Sequence, residues 1–209
     1  MPARPTEALL IVDVQNDFCS GGALAVPEGE AVVPFINRLQ THFQVVVATQ
    51  DWHPDNHRSF ASMHDDKDPF QTTELHYGHQ VLWPDHCIQG SEGAAFHPDL
   101  AIDPCDLILR KGFRQHIDSY SAFFENDRTT PTGLHGYLVE RGVTELALTG
   151  LATDFCVCYS ALDAVSLGYR VTLVEEACRA IDLGGSLASA HRQMAEAGIA
   201  FASTESLTR

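Results

Sequence analysis

The 209-residue chain has no apolar run of the roughly 18 residues that a membrane-spanning helix needs. Its N-terminus, Met1-Pro2-Ala3-Arg4-Pro5-Thr6-Glu7, lacks the basic-then-apolar pattern of a secretion signal. Basic residues are scarce: 13 Lys and Arg stand against 28 Asp and Glu, a formal net charge of −15. Such a chain repels phosphate backbones and anionic lipid, which argues against nucleic acid or a membrane as partner. No C-x-x-C pair occurs among the six cysteines, and Cys156-Val157-Cys158 is too tight for a typical zinc pair, which argues against a structural zinc knuckle. No G-x-G-x-x-G follows a strand, which argues against a dinucleotide-binding dehydrogenase. Repeats, low-complexity tracts and interdomain linkers are missing too. These absences leave a cytoplasmic protein with free thiols rather than disulfides. Its length suits one domain over residues 1–209 with a single core, and an apolar fraction of 44% is too high for disorder.

What is present is an alternation. Ala8-Leu9-Leu10-Ile11-Val12 is short, continuous and partly β-branched, the pattern of a strand buried on both faces. Val45–Thr49, Leu107–Leu109, Leu146–Thr149, Tyr169–Val174 and Ile199–Phe201 read as further strands. Helical spacing marks Val32–Phe43, Leu134–Arg141, Phe155–Leu167 and Leu187–Ala197. Strands that alternate with helices predict a doubly wound, six-stranded parallel sheet in a three-layer αβα sandwich, with its site in a crevice at the strands' C-terminal ends. Residues 51–104, rich in His, Asp, Pro and Gly, read as one long irregular segment, and such segments in compact domains are usually functional.

Three residues stand at or just past predicted strand ends. Asp13 follows the first strand, Lys111 the third, and Cys156 comes after the fourth through Thr149-Gly150-Leu151-Ala152-Thr153-Asp154-Phe155. Singly, each has an ordinary reading: a turn cap, a solvent-reaching lysine, a core thiol. Together they bring a base, a cation and a nucleophile to one crevice. Thr153 or Asp154 as N-cap would put Cys156 in a helix's first turn, where the helix dipole and Lys111 would lower the thiol's pKa. Backbone N–H groups of that turn would meet an oxyanion. Cys158, two residues on, should point away into packing.

A second constellation follows the second strand. Asp51 and His53 are two apart and share one face of an extended segment, so they can grip one ion. His86, in Trp83-Pro84-Asp85-His86-Cys87, is the preferred third ligand; His57 competes, and Ser59 can act through water. Seven of the eleven histidines fall between His53 and His97, which raises the isolated D-x-H above chance. Two imidazoles and a carboxylate suit one divalent ion, Zn first, with Fe or Mn as alternatives. Phe18, Trp52 and Trp83 lie in the same segments and offer walls for a flat aromatic ligand.

These segments resemble the nicotinamidase branch of the isochorismatase-like cysteine hydrolases. The resemblance is carried by Asp13-Val14-Gln15-Asn16-Asp17-Phe18, Asp51-Trp52-His53-Pro54, Trp83-Pro84-Asp85-His86-Cys87, Lys111-Gly112, Asp118–Phe124 and Gly150–Val157, in the family's order and over nearly the whole chain. It implies a triad of Asp13, Lys111 and Cys156, and metal ligation by Asp51, His53 and His86. It implies substrate contacts from Phe18, Trp83, Leu151 and Ala152. It also implies a cis peptide between Leu151 and Ala152, which aims the Ala152 N–H, with that of Cys156, at the oxyanion. Hydrolysis of nicotinamide, and of pyrazinamide with it, to the acid and ammonia in NAD salvage is the implied activity; a homo-oligomer stays open, as does the choice of His57 or Ser59 as a further metal contact. A sister amidase would keep the triad without a metal-bound ring. A two-His-one-carboxylate oxygenase or a non-enzymatic metal binder would not need Cys156.

Overall fold

The structure is a computed structural model that describes residues 6–208. The reading of a missing secretion signal rests mostly on Met1–Pro5, which lie outside the described residues. The chain runs β1 (Thr6–Val12), α1 (Val33–Gln40), β2 (Val45–Asp51), β3 (Thr72–Leu75), β4 (Gly78–Val81), β5 (Leu107–Lys111), α2 (Leu134–Glu140), β6 (Val143–Leu151), α3 (Cys158–Ser166), β7 (Arg170–Arg179), α4 (Ser186–Glu196), β8 (Ala200–Ala202) and α5 (Thr204–Leu207). Six strands form one parallel sheet in the order β5-β2-β1-β6-β7-β8. This is the predicted doubly wound sheet. Its central strands are the apolar runs of the sequence: Ala8–Val12 and Val45–Ala48 are all buried.

From β1 the chain moves outward to β2, and later returns to place β6 on the other side of β1. Right-handed crossovers then put α1 on one face and α3 and α4 on the other. Accordingly α1 packs with α5, and α3 with α4. The reversal makes the carboxyl ends of β1 and β6 the topological switch point, where such sheets open a crevice.

Three local differences from the sequence reading have physical causes. The segment 51–104 is not wholly irregular: β3 and β4 pair as an antiparallel hairpin. Strands β6 and β7 run longer than the apolar centres read from the sequence, because the ladder continues past them through Gly150–Cys178 and Leu151–Arg179. The helix expected from Phe155 begins only at Cys158, after one π-type turn, Thr153–Val157, in which the Val157 N–H donates to Ala152 O at 3.2 Å. Neither Thr153 nor Asp154 caps it. Asp154 is instead a buried clamp on the loop after β7, accepting from the N–H groups of Ile181 (3.1 Å) and Asp182 (2.8 Å) and from Ser186 Oγ (2.5 Å).

Candidate active site

At the switch point the strand ends deliver their side chains to one place. Asp51 and Lys111 close neighbouring strands in direct register, so the Lys111 stem runs beside Asp51 toward β1. Its Nζ lies 2.8 Å from Asp13 Oδ2, 2.8 Å from Asp51 Oδ1, 2.8 Å from Ser119 O and 3.5 Å from Cys156 Sγ. Asp13 sits just past β1 with a left-handed φ of 49°. Its Oδ1 accepts from Thr49 Oγ1 at 2.6 Å, while Oδ2 meets Lys111 as an ion contact and, among the described residues, accepts no aligned hydrogen bond. Asp13, Asp51 and Cys156 offer atoms within 4.8 Å of one another. Cys156 reaches this point because β6 turns near its end at Gly150, at φ 108°, where a Cβ would collide with the backbone of Val12. The Leu151–Ala152 peptide is cis. Cys158 points away, its Sγ against Ala190 O of α4 at 4.0 Å.

All four groups are buried, so their charges are set by one another. Burial opposes the charge on Lys111, yet Asp13 and Asp51 hold its ammonium well above the ordinary lysine value. Burial would also raise Asp51, but Lys111 and His53 hold it well below the usual carboxylate range. For Asp13 burial wins over Lys111, and its pKa is raised. The same balance corrects the expectation of an acidic thiol. Burial pushes Cys156 well above the ordinary cysteine value; Lys111 pulls it back, but Asp13 and Asp51 add to the rise. One ammonium shared among four partners cannot outweigh full desolvation and two carboxylates. At neutral pH the site therefore rests as a thiol.

The other oxygen of Asp51 faces two imidazoles: Oδ2 lies 3.3 Å from His53 Nε2 and 3.8 Å from His86 Nε2. Each ring is turned by a carbonyl behind it, His53 Nδ1 to Gly112 O at 2.8 Å and His86 Nδ1 to Pro84 O at 2.7 Å. A carbonyl can only accept, so both Nδ1 atoms carry a hydrogen, and both Nε2 atoms are turned to Asp51. This backing is what metal-ligating histidines ordinarily have. Gly112, at φ 65°, permits the close approach: a Cβ there would lie 2.5 Å from His53 Cε1. Asp51, His53 and His86 can thus hold a metal ion, with donor atoms within 4.8 Å of one another. His57 is turned elsewhere: its Nδ1 pairs with Ser59 Oγ at 2.7 Å and its Nε2 with Ile117 O at 3.2 Å. Burial, and the charge of His53 beside it, push its pKa down to about 4.

Between the thiol and His86 lies a narrow cleft, whose walls include Phe18, Trp83, Tyr120, Ala152, Phe155 and Ile181. Trp83 meets Phe155 edge-on at 4.9 Å, and its Nε1 donates to Tyr120 Oη at 3.0 Å. A second, wider cleft, lined by Asn16, Glu30 and Glu92 among others, contains none of these groups.

A profile of the isochorismatase domain matches residues 7–206. The chain belongs to the isochorismatase family. Within it, the chain is similar to a nicotinamidase of Acinetobacter baylyi, 53% identical over 192 residues that cover 92% of this chain and 90% of that protein. Among solved structures it is similar to a nicotinamidase/pyrazinamidase of Acinetobacter baumannii, with a TM-score of 0.96, 54% identity, and coverage of 98% of this chain and 99% of that one. It is also similar to a pyrazinamidase of Pyrococcus horikoshii solved in complex with zinc, with a TM-score of 0.76, 34% identity, and coverage of 95% and 99%.

Set against the sequence reading, the structure brings Asp13, Lys111 and Cys156 together, and Asp51, His53 and His86 together. Phe18, Trp83 and Ala152 line the cleft. Leu151 does not: its side chain is fully buried, with Cδ1 toward Gly29. Trp52 is also outside, half-buried beneath the Arg110 guanidinium at 3.8 Å. Asp118, Tyr120, Phe155 and Ile181 line the cleft without having been singled out. The resemblance did cover Asp118-Ser119-Tyr120, but nothing in the local pattern of that segment says that Ser119 O accepts from Lys111 Nζ or that the Tyr120 ring lines the cleft.

Proposed function

We propose that this chain is a nicotinamidase: a metal-assisted cysteine amidohydrolase that converts nicotinamide to nicotinate and ammonia in NAD salvage, and accepts pyrazinamide as a second substrate. The observation that carries the reading is the double use of Asp51. One oxygen meets Lys111 of the acid–base group and the other faces His53 and His86 of the metal group, so nucleophile and cation site share a single aromatic-walled cleft. A flat ring bearing a carboxamide on one side and a nitrogen on the other matches this arrangement of thiol, aromatic walls and imidazole.

Phe18 and Trp83 flank the ring and hold the carboxamide carbon at Cys156. Asp13, with its raised pKa and an oxygen free of aligned hydrogen bonds, takes the thiol proton as sulfur bonds to that carbon. Lys111 stays charged and balances the carboxylates throughout. The N–H groups of Ala152 and Cys156 receive the oxyanion. Asp13 passes its proton to the leaving nitrogen, ammonia departs, and a thioester remains on Cys156. Asp13 then takes a proton from water as the water oxygen attacks the thioester, and returns that proton to sulfur; the free thiol and the acid are released, and the acid loses its carboxyl proton to solvent as nicotinate. A divalent cation on Asp51, His53 and His86, for which we favour zinc over iron or manganese, would supply a Lewis acid that grips the ring nitrogen. Six free cysteines suit a reducing cytoplasm.

The test is ammonia release from nicotinamide and from pyrazinamide, with and without a chelator. Release that falls on chelation and returns with zinc supports the reading. A purified protein that releases none from either amide when zinc-loaded overturns it.

A further inference from the structure

Strand β2 has a problem at its end. In a parallel sheet, a residue's N–H and C=O point to the same neighbouring strand. The ladder from β2 to β1 stops at Ala48 opposite Ile11, because the chain leaves the sheet at Asp13. Asp51 lies three residues beyond that point. On its other side the ladder to β5 runs on to Lys111, whose carbonyl takes the Trp52 N–H at 2.9 Å. The N–H and C=O of Asp51 itself face the side from which β1 has departed. Both are buried, and buried backbone groups need partners.

One side chain supplies both. Gln15 Oε1 accepts from the Asp51 N–H at 2.8 Å, and Gln15 Nε2 donates to Asp51 O at 2.8 Å. Its second amide hydrogen goes to Ala94 O at 2.9 Å. This fixes the amide's orientation: reversed, it would set nitrogen against the Asp51 N–H and oxygen against two carbonyls. Gln15 is fully buried, and its own backbone is pinned through N–H to Asp13 O at 2.9 Å and C=O from the Phe18 N–H at 3.1 Å.

We propose that Gln15 is a positioning residue for the metal group: its carboxamide replaces the strand that β2 lacks and fixes the Asp51 carboxylate between Lys111 and the imidazoles of His53 and His86. The Asp51 carboxylate is met by Lys111 and faces His53 and His86, whereas its backbone on the β1 side is met by this one amide. The two groups its oxygens serve lie on different elements, so a small rotation of its backbone would withdraw one oxygen or the other. The inference rests on the metal-site reading above and adds a residue that touches neither metal nor substrate.

The test measures zinc affinity of the purified protein by competition with a chromophoric chelator, beside urea unfolding of the same samples. Gln15→Met keeps the length and loses all three amide hydrogen bonds, the two to Asp51 and the one to Ala94 O. Gln15→Asn keeps the amide but falls one methylene short. Each should bind zinc at least about 10-fold more weakly than wild type, the usual effect of removing a group that orients a ligand. Gln50→Met is the control. Gln50 Nε2 also donates to Ala94 O, at 2.9 Å, but its amide does not touch the Asp51 backbone, so zinc affinity should be unchanged. Wild-type affinity in folded Gln15→Met and Gln15→Asn, or an equal loss in Gln50→Met, would overturn the proposal. Failure of both Gln15 variants to fold would assign the residue to the fold alone and overturn it as well. A wild type that holds no zinc would instead remove the metal-site reading on which the inference rests.

Discussion

Replacing Lys111 by Met would keep the length of the stem and remove the one cation among two buried carboxylates. Each carboxylate stands 2.8 Å from Nζ. At an effective dielectric of about 20, a contact of that length has a gross attraction of about 6 kcal/mol, much of it offset by desolvation of the three charges. Removing one partner of a buried pair leaves the others uncompensated, and the expected loss is about 3–5 kcal/mol at neutral pH. The loss should depend on pH, with a definite sign. Lys111 lowers the pKa of both Asp13 and Asp51, so without it both rise. A carboxyl raised in the folded state holds a proton there that the unfolded chain has released, and its contribution to stability falls as pH rises. The variant should therefore be closest to wild type near pH 4, and the gap should widen toward pH 7. Urea denaturation of both proteins across that range measures it. A gap that stays constant, or narrows with rising pH, would refute the assignment of Lys111 as the counter-ion of the two acids. The same substitution should slow alkylation of Cys156 by iodoacetamide at neutral pH, because Lys111 is the group that pulls the thiol's pKa down.

Cys156→Ala should abolish ammonia release in a protein that stays folded, whereas Cys158→Ala, facing Ala190 on α4, should leave most activity; kinetic assays of the two side by side decide it. Asp13→Asn keeps the shape and removes the base, and should lower kcat by about 100-fold or more in the ammonia assay. His86→Ala should reduce the zinc found by elemental analysis as strongly as His53→Ala, and His57→Ala should reduce it less, since both nitrogens of His57 are already engaged.

The parts legible in the sequence share a cause. Strands β1 and β2 are buried on both faces, so they must be unbroken apolar runs, and their ends are marked where polarity returns, at Asp13 and near Asp51. A parallel sheet gathers those ends, so three dispersed residues could be placed in one crevice without coordinates. The illegible parts are those whose structure is imposed from a distance. The β3–β4 hairpin is short and half-exposed. It is anchored by Gln80, whose Nε2 reaches Asp118 Oδ2 at 2.8 Å and Tyr120 Oη at 2.9 Å, some forty positions along the chain. Asp154 looked like an N-cap because capping residues are recognised locally, yet its partners lie at Ile181 to Ser186. The resting charge of Cys156 was misread for a related reason. A neighbouring lysine and a helix start argue for a thiolate, but the degree of burial and the two competing carboxylates belong to the tertiary structure.

Register explains why the site has the form it does. Asp51 and Lys111 are paired across β2 and β5, so their side chains rise on the same side of the sheet edge, with the longer one leaning over the shorter toward β1. That geometry forces Lys111 to share itself between Asp51 and Asp13, and it leaves the second oxygen of Asp51 to face outward, where His53 follows two residues later on the same side. A one-residue slip of β5 against β2 would turn Lys111 to the opposite face and take its ammonium from both acids. The acid–base group and the metal group are thus consequences of one strand pairing. A substitution that loosens the end of β2 should harm both together, whereas one confined to His86 should harm the second alone.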